Sequence, residues 1–405
     1  MGANQLDEAG LDVSAMTDGS DATSQSSSGT VLHVVTRYLR GGSERRVKDI
    51  VEALGEFSHH VVVGSDSDLE LATADLPTSR ITLEPRLRRN PNPLTDALAV
   101  LRIRRLITQL RPDVVFTHQS KAGAVGRVGA WAAGRSTVVH SLSMANFGEG
   151  YTPIHSAAFK WIEKSLAPLT SAYTVVGHDL AGRYRDIGVP RDKLHVIRSG
   201  VPIPAVAESA DDAKRRLAQD LSMPADRPWL IHVGSLEPRK NVLMLPQLLE
   251  MLITGLEKDR PHLVIAGVGP LEDQLKDDLA ARGLTPYSTM LGYVHGVAPL
   301  IKASNALVLL SSAEGLPQVL VQAASVDTPF VAFDVDGTSE LLTMGARGAV
   351  VELGDLPAAV SAIAGSLFAR YEPSTVDFGS WDPETIRRQY RELVEDLRAH
   401  TAGPP

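Results

Sequence analysis

An α/β architecture of two doubly wound, Rossmann-like domains facing across a cleft is expected from three features of the sequence. Short β-branched runs alternate with helical patterns almost throughout, a proline- and glycine-rich break interrupts the rhythm near the middle, and 405 residues is about two ordinary domains. The first half reads as strands at Val31–Thr36, His60–Val63, Asp113–Thr117, Thr137–Ser141, Tyr173–Val176 and Leu194–Ile197, each followed by a helix-like segment. Ser199-Gly200-Val201-Pro202-Ile203-Pro204 is the break and reads as an interdomain linker. The alternation resumes at Trp229–Val233, His262–Ala266, Ser288–Leu291, Ala306–Leu310 and Pro329–Phe333, and the chain closes on a charged amphipathic helix over about Pro383 to Ala399. The expected organisation is a disordered leader over 1–29, an N-terminal domain over 30–200, a C-terminal domain over 205–375, and over 376–405 a helix packing back on the N-terminal domain with a loose tail.

Composition removes several classes of function. With no cysteine, disulfides, thiolate metal sites and cysteine nucleophiles are excluded. A net charge of −8 argues against a general nucleic-acid binder. Residues 1–29 carry five acidic residues, no Lys or Arg, and a serine-rich end, so they can bury no core and lack the basic start of a secretory signal. No apolar run approaches bilayer length, so the expected location is the cytoplasm, with peripheral membrane contact left open.

The chemistry concentrates where strands end, because open α/β sheets bind ligands at their carboxyl edges. After Ala306–Leu310 comes Ser311-Ser312-Ala313-Glu314-Gly315-Leu316-Pro317, then a helix from Gln318 to Ser325. This places a carboxylate, a flexible glycine and the free amides of a helix start together, a set suited to a sugar joined to a diphosphate. Taken alone, it also reads as an ordinary strand–helix turn. Gly234-Ser235-Leu236-Glu237-Pro238-Arg239-Lys240-Asn241 follows Trp229–Val233, and its adjacent cations could offset charge developing on a diphosphate. Arg40-Gly41-Gly42-Ser43-Glu44 precedes a helix in the first half and does not match the Gly-x-Gly-x-x-Gly dinucleotide pattern. Gly267-Val268-Gly269-Pro270 and Leu291-Gly292-Tyr293-Val294 end two further strands, where glycines permit close backbone approach and the Tyr293-Val294 backbone could read a flat base edge.

Taken in order, these motifs resemble the retaining glycosyltransferase family 4 (glycosyltransferase group 1) of the GT-B fold. Arg111-Pro112-Asp113-Val114-Val115, Glu163-Lys164 and Ile197-Arg198-Ser199-Gly200-Val201 add to the likeness, which runs from about Val31 to the closing helix. The resemblance implies a nucleotide-sugar donor held mainly by the C-terminal domain, an acceptor held mainly by the N-terminal one, transfer with retention, and no cofactor or metal. It further implies that Glu314 contacts the donor sugar and Lys240, with Arg239, the diphosphate. The Gly41-Gly42 loop would reach the distal phosphate across the cleft. Gly315, Leu316, Pro317 and Gln318 would bind phosphates or sugar. His118, His140, Ser143 and Asn146 are the acceptor-side candidates.

The chain departs from the family at three places. The family usually has two glutamates separated by seven residues; here the first is Glu314 and the second position is Gln322, a weaker partner for ribose hydroxyls. The usual Gly-Arg before the basic loop is Gly234-Ser235, and where many members have a histidine after the fourth strand this chain has Ser143, three residues from His140. Two alternatives follow: a sugar-nucleotide-binding protein that has lost transfer, and a sugar-nucleotide epimerase of the same fold. Asp334-Val335-Asp336 looks like a metal-binding Asp-x-Asp but falls where the family has a Gly-Gly turn. Arg86-Leu87-Arg88-Arg89-Asn90-Pro91-Asn92-Pro93, with Arg102, Arg104 and Arg105, is either a solvated basic region or a grip for an anionic acceptor or membrane surface. Base, sugar, acceptor and oligomeric state cannot be read from the chain.

Overall fold

The computed structural model of the chain describes residues 28–402 apart from 40, 41, 136, 149, 202, 204, 205, 257 and 369–372. The leader expected over 1–29 lies outside the described residues except for Ser28 and Gly29, as do Gly41, Pro202, Pro204 and the last three residues.

Seven parallel strands form the first sheet: β1 (Thr30–Val35), β2 (Ser58–Gly64), β3 (Ser79–Glu84), β4 (Val114–His118), β5 (Val138–Leu142), β6 (Ala172–Val175) and β7 (Leu194–Val196), in the order β3-β2-β1-β4-β5-β6-β7. Val31 to Val35 are all buried, as a central strand covered on both faces requires. Six parallel strands form the second: β8 (Trp229–Val233), β9 (His262–Ala266), β10 (Ser288–Gly292), β11 (Ala306–Leu309), β12 (Phe330–Phe333) and β13 (Gly348–Val351), in the order β10-β9-β8-β11-β12-β13. Both sheets reverse their strand order beside a central strand, and helices cover both faces.

Two strands escaped the sequence reading, β3 and β13. Both are edge strands: Ser-Arg-Ile-Thr-Leu-Glu is half-buried and carries two charges, while Gly-Ala-Val-Val is four half-buried residues behind a glycine. Neither has the continuous apolar run of a central parallel strand.

The helix Pro383–Ala402 returns to the first domain, where Ile386, Tyr390, Leu393 and Val394 pack with Ile50 and Phe116. It lies beside the helix Gly42–Ala53, whose Arg46 is buried and grips the chain leaving β7: Nη1 donates to Ile197 O at 2.8 Å and Nε to Ser141 Oγ at 2.7 Å. On the same helix Asp49 accepts from Gly200 N at 2.9 Å, so the start of the linker is held to the first domain. Across the linker, Arg198 pairs with Glu340 at 2.6 Å, and Glu340 also accepts from His178 N at 2.8 Å. Arg183 pairs with Asp336 at 2.6 Å, and Asp179 accepts from Gly337 N at 3.0 Å. These contacts bolt the two domains together beside the linker.

A buried relay of histidines crosses the first sheet. His59 Nε2 donates to Leu54 O at 2.9 Å, which leaves its Nδ1 to accept from His33 Nε2 at 3.1 Å. His33 Nδ1 in turn accepts from His118 Nε2 at 3.2 Å. Each ring is satisfied only as the neutral tautomer with hydrogen on Nε2. Burial, with the neighbouring Arg46, holds His118 down to about 3, and burial likewise lowers His33 and His59. Burial, with Lys240 close by, also holds His232 of β8 down to about 4.

Because these native values lie below the ordinary histidine value, the unfolded chain takes up protons that the folded one refuses. The stability they support is whole above about pH 6.5 and declines as pH falls toward the native values, at about 1.4 kcal/mol per pH unit for each such histidine. Urea unfolding at pH 7, 6 and 5 should show this decline. Replacement of His232 by Gln should reduce the slope by about one proton, and an unchanged slope would contradict the buried, neutral assignment.

Candidate functional site

The loops at the carboxyl ends of β10, β9, β8 and β11 stand side by side, and at about 4.8 Å per strand they form a row roughly 14 Å long. Glu314 lies in the loop after β11, with its side chain only 10% exposed. Lys240 Nζ stands 2.5 Å from Glu314 Oε1 and Arg239 Nη1 stands 3.2 Å from the same oxygen. Burial alone would raise this carboxyl group; Lys240 and Arg239 outweigh it and hold it below the ordinary glutamate value.

Local structure explains why the two cations reach one oxygen. Pro238–Lys240 form a single 3-10 turn that ends at Asn241 with φ 49°, and the Asn241 side chain donates to Leu310 O at 2.8 Å. Ser312 N donates to Arg239 O at 2.8 Å, while Arg239 Nη1 donates to Ala313 O at 2.9 Å. The post-β8 and post-β11 loops are thereby sewn together. Glu237 accepts from Arg239 at 2.8 Å and from Ser235 Oγ at 2.9 Å, so Ser235 orients the loop's own carboxylate.

Beneath this cluster lies His232, which the sequence reading passed over. Its Nδ1 donates to Val308 O at 3.2 Å, and its fully buried Nε2 has no hydrogen-bond partner. That nitrogen sits 3.7 Å from where a side chain on Gly234 would begin, directly below the loop carrying Lys240. A lone polar residue in the apolar strand Trp-Leu-Ile-His-Val was the available signal.

The first domain closes over the cluster. A Cβ on Gly315 would fall 1.8 Å from Ser143 O, and one on Gly150 would fall 2.4 Å from Ser312 O. Two glycines, one from each domain, therefore let the loop after β5 lie directly on the loop after β11. Ser143 is half-buried in this contact and Asn146 half-buried beside it, and Ala145, Phe147, Tyr151, Arg183 and Glu314 line a small recess there. Burial raises the Tyr151 hydroxyl against the opposing pull of Arg239 and Arg89, which brings the basic loop of the first domain near the cleft mouth. Elsewhere in the cleft, the N-terminus of Gly42–Ala53 meets that of Gln318–Ser325: a Cβ on Gly42 would stand 3.4 Å from Gln318 Nε2. Two converging helix N-termini favour an anion between them. Leu316 and Pro317 lead into the second of these helices, and Gln322 lies one turn further along it, half-exposed.

Several expected site residues are placed differently. His118 and His140 are buried inside the first sheet and do not line the cleft. His118 is the end of the histidine relay; His140 sits on the opposite face, with Nδ1 2.9 Å from Thr117 Oγ1 and its ring against Gly123. Gly267 and Gly269 are needed for packing within the domain, since a Cβ on each would strike Gly234 O at 1.8 Å or Leu236 O at 2.5 Å. Tyr293 is 54% exposed at the far end of the row, beside Val294. Asp334 and Asp336 engage different partners, Ser339 at 2.9 Å and Arg183. Gly41 lies outside the described residues.

Two facing parallel-sheet domains about an anion-suited cleft are the GT-B architecture. The glycosyl transferase 4-like domain matches residues 41–200 and the glycosyl transferases group 1 family matches residues 213–367; together they take in most of the chain, which belongs to this family. The chain is 26% identical over 283 residues to the Escherichia coli UDP-Gal:alpha-D-GlcNAc-diphosphoundecaprenol alpha-1,3-galactosyltransferase, covering 69% of this chain and 72% of that protein. It is 25% identical to the putative teichuronic acid biosynthesis glycosyltransferase TuaC of Bacillus subtilis, covering 72% and 68%. The crystal structure of Anabaena HepE in complex with UDP superposes with a TM-score of 0.70 at 18% identity, covering 91% of this chain and all of that one.

Gly315→Ala tests the cross-domain contact. The added methyl meets a backbone oxygen that cannot rotate away, so the loops must separate. Circular dichroism is expected to be unchanged, while amide exchange at 143–145 and 312–316 quickens and turnover falls about tenfold or more. Unchanged exchange at both loops would mean that the approach is not maintained in solution.

Proposed function

We propose that the protein transfers a sugar, with retention and without a metal, from a nucleoside-diphosphate sugar to a glycan or lipid-linked glycan intermediate. The observation that carries this reading is the buried Glu314 shared between Lys240 and Arg239 at the point where both domains meet. A carboxylate there can hold sugar hydroxyls, and cations beside it can take up the charge of a departing diphosphate. The sugar–diphosphate bond breaks as the acceptor oxygen forms its bond to the same face of the anomeric carbon, and the acceptor proton passes to the leaving phosphate. The row of loops from Tyr293 to Glu314 is long enough for base, ribose and diphosphate in line.

UDP is the favoured base: the E. coli relative is named for a UDP-galactose donor, and HepE was crystallised with UDP. Sugar transfer to a diphospho-lipid intermediate is what that relative's name describes, and supports the same acceptor class here. Against loss of transfer, the reading that Gln322 and Ser143 suggest, stands the contact of Glu314 with both Lys240 and Arg239.

A thermal-shift panel of UDP, GDP, ADP and TDP with their sugars is expected to give a shift with the uridine compounds that Lys240→Ala removes. With an acceptor in hand, Lys240→Ala and Glu314→Gln should each lower kcat by about a hundredfold or more, EDTA should leave the rate unchanged, and NMR should show the donor's anomeric configuration in the product. Donor binding without turnover on any diphospho-lipid or glycan acceptor would favour a binding protein instead.

A further inference from the structure

Three helices lie side by side on one face of the first sheet: Pro93–Leu110, Ser120–Ala132 and Pro153–Leu166. The middle one is fixed to its neighbours on both sides. Arg104 Nε donates to Ala132 O at 3.0 Å, and Arg127, fully buried, pairs with Glu163 through both Nη atoms at 2.9 Å. The first and third helices carry exposed apolar side chains on their outward sides, and the middle one carries a single exposed tryptophan at its end. Leu94, Leu98 and Leu101, spaced four and three, stand 79%, 49% and 55% exposed on the first, opposite buried Ala99, Ile103 and Leu106. Ile154 and Trp161, spaced seven, are 85% and 70% exposed on the third, and Trp131 is 64% exposed at the end of the middle helix. Six of the eleven exposed large hydrophobic side chains among the described residues fall on these three helices.

The same stretch carries the strongest charge contrast in the chain. Residues 85–166 hold twelve Lys or Arg against four Asp or Glu, in a chain whose net charge is −8. Arg102, Arg104 and Arg105 flank or continue the leucine stripe, Lys160 and Lys164 flank Trp161, and Arg88 and Arg89 belong to the loop that leads to the cleft mouth. The opposite face of the sheet is covered by the helices Gly42–Ala53 and Pro383–Ala402, and the outward side of these three helices is left exposed among the described residues.

We propose that this three-helix face docks on an anionic lipid bilayer, with the leucine and tryptophan stripes entering the headgroup region and the arginine and lysine rim holding acidic headgroups. Broad apolar area bordered by cations matches an interfacial surface, and no helix of the described residues is long and apolar enough to cross a membrane. The basic loop at 86–93 then places the cleft mouth beside the surface. This inference stands on the exposed stripes and the charge, not on the transferase reading.

The four tryptophans make the test direct, since Trp131 and Trp161 are exposed whereas Trp229 and Trp381 are fully buried. Full-length protein is mixed with vesicles of neutral phosphatidylcholine, or of phosphatidylcholine with about a third phosphatidylglycerol, and followed by sedimentation and tryptophan emission. Binding with a blue shift is expected on the anionic vesicles only, weakened by 0.5 M salt. Leu98→Glu with Leu101→Glu, and separately Trp161→Glu, should each weaken it at least about tenfold, with unchanged urea unfolding and unchanged thermal shift by donor nucleotide. Absence of binding to anionic vesicles overturns the proposal, as does undiminished binding by the folded variants. A concentration-dependent dimer abolished by the same substitutions, without vesicle binding, would assign the face to a second copy of this chain and likewise overturn it.

Discussion

A carboxylate that has lost nine-tenths of its exposure stays charged only if cations replace the water it has given up, and at Glu314 two of them do. That requirement shapes the surrounding backbone. Arg239 and Lys240 are adjacent in sequence, so both can face one oxygen only where the chain turns tightly, and the 3-10 turn ended by Asn241 in the left-handed region supplies this. Asn241 and Ser312 then tie that turn to the loop after β11. The parallel order β8-β11 brings the loops together at the sheet's carboxyl edge. The charge cluster is therefore assembled from elements far apart in sequence and held by hydrogen bonds to backbone carbonyls, leaving the cations able to exchange Glu314 for an incoming anion.

The same backbone economy joins the two domains. At Gly315 and Gly150 the chains approach so closely that no side chain fits, and the contact is made by main-chain atoms rather than by an ion pair. Main-chain surfaces of this kind separate without leaving an uncompensated charge. Near the linker the contacts are of another type: Arg198 and Glu340 are both nearly buried, and parting them would strand a charge in a low-dielectric setting.

Much of this was legible in the sequence, and the exceptions have physical causes. Central strands such as Trp229–Val233 and Ala306–Leu309 declare themselves as largely apolar runs, and the turns after them carry the Lys240 and Glu314 motifs. Edge strands β3 and β13, solvated on one side, do not. Glycines mislead in both directions: Gly267 and Gly269 look like room for a ligand, yet the loop 234–236 fills that room, while Gly150, which no motif marks, is essential to the closed cleft. Histidines at strand ends mislead similarly, because a strand position fixes a face only once the register is known. His140 points beneath the helix Ser120–Ala132 and His118 into the relay with His33, and that relay joins strands whose pairing no local pattern reveals.

Substrate entry must open a cleft that is closed here, and the distribution of contacts indicates how. A rotation about the linker would part first the glycine contacts and the converging helix N-termini, which carry no salt bridge, and next the Arg183–Asp336 pair, whose arginine is 27% exposed and can be rehydrated as it leaves. Arg198 and Glu340, 6% and 7% exposed beside the linker, are the pair least able to separate. Bound anion between the two helix N-termini would favour the closed state, because only there does one anion gain the attraction of both dipoles at once. Closure and donor binding are thus coupled through charge, while the pivot is set by burial.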